Sequence, residues 1–110
     1  MRKVCRERKE LLFALTRHFP RRSMDEILKL HEALITKCRK LVLVGEQYYN
    51  GTGNEQEFYK LRVDLLNLCV LNKVRAHLCR GQWADECEVF LNNKWVNIPI
   101  ERKIKCTSKK

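Results

Sequence analysis

SMDEILKLHEALITKCRKLV, residues 23–42, opens with a helix start and continues as one long helix. Ser23, followed three residues later by Glu26, is a capping box in which side chains satisfy backbone groups at both positions. Met24, Ile27, Leu28, His31, Leu34, Ile35, Cys38, Leu41 and Val42 then recur at helical spacing and draw one apolar stripe. Lys29, Glu32, Thr36, Arg39 and Lys40 occupy the opposite, wet side. His31 and Cys38 fall inside the stripe, which predicts that both are buried. The helix ends at Gly45 or runs on to Tyr49; either way Asn50-Gly51-Thr52-Gly53 is a turn.

Upstream, Val4 to Phe19 reads as a first helix that Pro20 terminates. Val4, Leu11, Leu12, Leu15 and Phe19 gather on its apolar side. Downstream, Asn54-Glu55-Gln56-Glu57 repeats the capping pattern and begins a third helix, expected to run to about Arg80 with Gly81 as its C-cap. Its apolar residues, from Phe58 to Leu78, lie on most of its circumference. That places it at the centre, with the first two helices on different sides of it. The last third changes character: Glu88–Leu91 and Lys94–Asn97 flank Asn92-Asn93, a pair that tolerates the positive φ angles of a two-residue hairpin turn. Phe90 and Trp95 become cross-strand neighbours. The expected architecture is α+β and mostly helical, one domain over residues 1–110. A three-helix bundle occupies 4–80, a C-terminal β-hairpin 87–100, and a basic tail 101–110.

The chain has 110 residues, with 45% apolar types and a formal net charge of +10. That is enough for one core and too little continuous apolar sequence for a membrane span. The start, Met-Arg-Lys-Val-Cys-Arg-Glu-Arg-Lys-Glu, has no apolar stretch after its basic residues. An intracellular location, cytoplasmic or nuclear, is therefore expected.

Six cysteines stand at 5, 38, 69, 79, 87 and 106. With no leader pattern, reduced thiols are the expectation. Cys69, His77, Cys79 and Cys87 are residue types that zinc takes, but the Cys-x₂₋₄-Cys knuckle is missing and the first three diverge around a regular helix. No metal or other cofactor is expected. No phosphate loop, nucleophile elbow or His-Glu-x-x-His pattern is present, so no catalytic residues are assigned and a non-enzymatic protein is expected.

The charge is uneven. Residues 1–40 carry twelve Lys/Arg against five Asp/Glu, whereas 41–80 carry five against four and 81–110 six against four. A field concentrated in the first third attracts polyanions. Arg2, Arg6, Lys9 and Arg17 fall within a sector of about 80° on the first helix, with Phe13 among them and Arg21 and Arg22 just beyond. Basic side chains neutralise phosphates, and an aromatic among them can stack on an exposed base. Glu7 and Glu10 dilute the patch, and no base-reading module is recognisable.

Nucleic acid, RNA rather than DNA, is thus the expected ligand, gripped through Arg2, Arg6, Lys9, Phe13, Arg17, Arg21 and Arg22 by phosphate and shape recognition; duplex RNA suits that mode. The main alternative is a small accessory interaction protein that binds a protein partner through a helical face. Its brevity and charge would suit a virus-encoded factor acting on host defence. A second alternative is a secreted, cysteine-rich helical factor stapled by disulfides such as Cys87–Cys106, with Asn50 in a glycosylation sequon.

Overall fold

The computed structural model describes residues 2–78 and 87–99, with side chains from residue 8 onward. It is α+β and mostly helical: α1 (Arg2–His18), α2 (Met24–Tyr49), α3 (Glu55–Leu71), then β1 (Arg75–Leu78), β2 (Cys87–Leu91) and β3 (Lys94–Asn97) in one antiparallel sheet of order β1-β2-β3. No described helix is long and apolar enough to cross a membrane.

The capping box forms as its residues dictate. Glu26 N–H donates to Ser23 Oγ at 3.2 Å, and Ser23 N–H donates to the Glu26 carboxylate at 3.1 Å. α2 continues through Gly45, which is buried, to Tyr49. The buried arc of α2 includes Ile27, Leu30, His31, Leu34, Ile35, Cys38, Leu41 and Val42. Met24 and Leu28, expected inside, are exposed, and Leu30 takes their place on the other flank of the stripe. The turn after α2 folds back so closely that a Cβ on Gly53 would meet Tyr48 N at 2.5 Å, and Gly51 takes φ +84°. Asn54 then caps α3 by accepting from the N–H groups of Gln56 and Glu57.

Two expectations about α3 are corrected. It ends at Leu71, not near Arg80. Val74 N–H donates to the Cys69 carbonyl at 2.8 Å and Lys73 N–H to the Val70 carbonyl at 2.9 Å, with Lys73 left-handed at φ 57°. This is a Schellman stop built without glycine. Asn72 Nδ2 reinforces it by donating to the Leu68 carbonyl. The chain released at Val74 becomes β1, in register with β2 from Arg75↔Phe90 to Leu78↔Cys87. The expected hairpin is therefore two strands of a three-stranded sheet.

Nor is α3 central. Both α1 and α3 pack on α2, and α1 also packs on β2 and β3. Only Phe58, Leu65 and Cys69 of α3 are fully buried, while Tyr59, Val63, Val70 and Leu71 face solvent. Gly81, Ile100 and the tail 101–110 lie outside the described residues.

The turn Asn92-Asn93 adopts φ 55° and 67°, and Phe90 faces Trp95 with ring centroids 5.2 Å apart. The sheet buries Leu78, Cys87, Val89, Leu91 and Val96 against the helices. Cys38 of α2, Cys69 of α3 and Cys87 of β2 are buried free thiols that meet where these elements join. Hydrogen bonding to Cys87, then burial, pushes the Cys38 thiol up; burial, then the charge of a Cys87 thiolate, pushes Cys69 up to about 11.

Candidate nucleic-acid interface

α1 turns two faces to the protein. Leu11 and Leu15 enter the core. Glu10, Phe13, Ala14 and Arg17, spaced i, i+3, i+4 and i+7, form one wall of a groove of about 540 Å³ against the hairpin. The other wall comprises Glu88, Asn92 and the whole of β3 from Lys94 to Asn97. Asn92 sets the spacing between the walls. Its Nδ2 donates to the Ala14 carbonyl at 3.0 Å, and its backbone N–H to His18 Nδ1 at 3.3 Å. Ala14, nearly buried, allows this close approach.

Phe13 is 64% exposed and Trp95 43% exposed, one on each wall. Trp95 belongs to a larger set. Strand alternation places Arg75, His77, Phe90, Glu88, Trp95 and Asn97 on one face of the sheet, opposite the face that meets the core. On that outer face the His77 and Trp95 rings lie 5.9 Å apart, and the Arg75 guanidinium stands 5.7 Å from the Phe90 centroid. His77 Nδ1 lies 3.6 Å from the Glu88 carboxylate. β3 is an edge strand. Ile98 N–H donates to the Cys87 carbonyl, so the ladder's two-residue alternation leaves the peptide groups of Trp95 and Asn97 pointing away from β2.

The expected site residues distribute unequally around this groove. Phe13 and Arg17 line it. Lys9 and Arg21 are exposed. Arg22 is held elsewhere: its Nη1 donates to Asn72 Oδ1 at 2.7 Å and its guanidinium covers the Phe19 ring at 4.0 Å. That contact ties the α1–α2 turn to the end of α3. Arg2 and Arg6 lie on α1, with side chains outside the described part. The sequence does not single out Lys94 or Arg75; Phe90 and Trp95 are recognisable in it as a cross-strand pair, and His77 only as a residue type that zinc takes.

The groove's charges balance, with Arg17 and Lys94 against Glu10 and Glu88. Lys9 and Arg21, both exposed, lie outside its lining. His77 and Cys87 fall on opposite faces of the sheet, which separates two of the residues considered for zinc. Among the described residues no three His, Cys, Asp or Glu side chains are placed to hold a metal ion. Cys79 and Cys106 lie outside the described residues. Neither a protein-family model, nor a curated protein, nor a solved structure matches this chain.

Proposed function

We propose that this chain is a small, non-enzymatic nucleic-acid-binding protein that holds RNA in preference to DNA through the basic side of α1 and the turn after it. The observation that carries the reading is the exposure of Lys9, Arg17 and Arg21 in the most positive third of the sequence, with Phe13 bare among them. Such cations bind phosphates and release the counterions condensed on the polymer. Arg22 contributes by fixing the turn that carries Arg21. The test is RNA affinity across a salt series for the parent and a Lys9→Glu/Arg21→Glu variant. The variant should bind more weakly and with a flatter log–log salt slope, because fewer counterions are released. Equal affinity and slope would refute the reading.

A second reading, binding of a protein partner through a helical face, is favoured by Tyr59, Val63 and Val70, which line one exposed side of α3. Val63→Asp with Val70→Asp should abolish such binding and leave RNA affinity unchanged.

A further inference from the structure

We propose that the groove between α1 and β3 receives unpaired nucleobases, so that the polymer held by the basic face is single-stranded. The inference rests on the nucleic-acid reading above and adds to it the form of the ligand.

Its basis is that two exposed aromatic residues, distant in sequence, line the same groove. Phe13 from the helix and Trp95 from the edge strand stand exposed on the two walls of one groove. Neither is needed there by the core, which is completed beneath them by Leu11, Leu15, Val89 and Val96. Trp95 is also braced. Phe90 lies 5.2 Å from it and His77 5.9 Å, both inclined at 60°. A ring held in this way gives up little conformational freedom when a base stacks on it. Base–aromatic stacking is the means by which single strands are held without reading their sequence. In a duplex the base faces are already stacked on one another and are not offered to a side chain.

The groove's charges agree with this division of labour. Glu10 and Glu88 on its walls repel phosphate, and their carboxylates accept hydrogen bonds from base N–H groups. Arg17 and Lys94 flank the same walls, with Lys9 exposed one helical turn from Phe13 and Arg75 on the sheet's outer face. Bases stack on the exposed aromatics while the backbone runs past the cations. The outward peptide groups of Trp95 and Asn97 add hydrogen-bonding partners along the same edge.

The experiment uses the full chain carrying Trp83→Phe, which leaves Trp95 as the only tryptophan of the two in the sequence. Its fluorescence is titrated with a short oligoadenylate and with a short RNA duplex. Oligoadenylate should quench Trp95. Trp95→Ala and Phe13→Ala, each made in the parent chain and followed by anisotropy of a labelled oligoadenylate, should each weaken binding on the order of ten- to a hundredfold. Trp95→Phe should retain most of the affinity, and duplex affinity should not change. Phe13 is the more exposed of the two, so its variant tests the groove even if loss of the indole disturbs the hairpin. Duplex binding without quenching by oligoadenylate, or unchanged oligoadenylate affinity in both alanine variants, would overturn the inference and leave the nucleic-acid reading standing. Failure to bind either polymer would remove both.

Discussion

His31 is the only polar side chain in the buried part of the described core, and it is 7% exposed. Its imidazole Nε2–H donates to the Arg8 carbonyl at 3.0 Å and so stitches α2 to α1. Burial lowers its pKa below 6.5; the Arg8 guanidinium adds to that, while the bond to the Arg8 carbonyl and the Glu32 carboxylate oppose it. The sign of the pH dependence follows. Well above pH 6.5 both folded and unfolded chains hold this ring neutral. As pH falls below that value, the unfolded chain takes up a proton that the folded chain resists, so stability declines until the folded pKa is passed. Urea midpoints should therefore fall between pH 7 and pH 5 more steeply in the parent than in His31→Gln, which keeps an N–H donor but does not titrate. Matching slopes would show that His31 is not held neutral. Nearby, Leu34→Ala empties a site that is 2% exposed and should cost about 2–5 kcal/mol. Lys40→Ala, on the wet side of the same helix, should stay within about 0.5 kcal/mol. Equal cost for the two in denaturant titrations would remove α2 from the core.

Elements whose signals are local could be read directly. Ser23 and Glu26 announce α2 three residues apart, and Asn92-Asn93 announces its turn with two adjacent residues suited to positive φ. The end of α3 could not be read in this way. No glycine or proline stands between Phe58 and Arg80, and the helical pattern continues through Arg75 to Leu78. What stops the helix is Lys73 in the left-handed region, a conformation that a lysine does not advertise. What turns Arg75–Leu78 into a strand is β2, which offers them an edge; their own composition does not. This explanation is testable. Lys73→Gly removes the Cβ penalty at φ 57° but adds freedom to the unfolded chain. The net expectation is a gain of about 0.5–1 kcal/mol in urea denaturation. Lys73→Val, β-branched at the same φ, should lose more than about 1 kcal/mol. If glycine destabilises here as it does inside a helix, the chain does not stop at Lys73.

At the scale of the molecule, a helical wheel reports how much of a helix is apolar but not which neighbour covers it. α3 is apolar on most sides, yet Val63, Val70 and Leu71 stay bare because α1 spends its inner face on α2 and the sheet. The groove was half legible for the same reason. Phe13 and Arg17 stand out on one helix, but Trp95 joins them only after the hairpin turn docks on Ala14 and His18. The convergence also brings Cys38, Cys69 and Cys87 together from α2, α3 and β2, each at most 2% exposed. A thiol reacts as its thiolate, and that form is disfavoured for Cys38 by its hydrogen bond to Cys87 and by burial, and for Cys69 by burial. Alkylation must then wait for the junction to open. Because the three residues come from three elements, separating any one element exposes that element's thiol first. If the bundle and sheet unfold as one unit, the three should be labelled at a common rate, as probes of a single two-state transition. That rate should be suppressed by the unfolding equilibrium, a factor of roughly a thousand or more for a small domain. Pulse alkylation under native conditions, read peptide by peptide by mass spectrometry, measures this directly. Earlier labelling of Cys87 than of Cys38 and Cys69 would mean that the sheet detaches while the helices stay packed, and the groove built between α1 and β3 would then open with it.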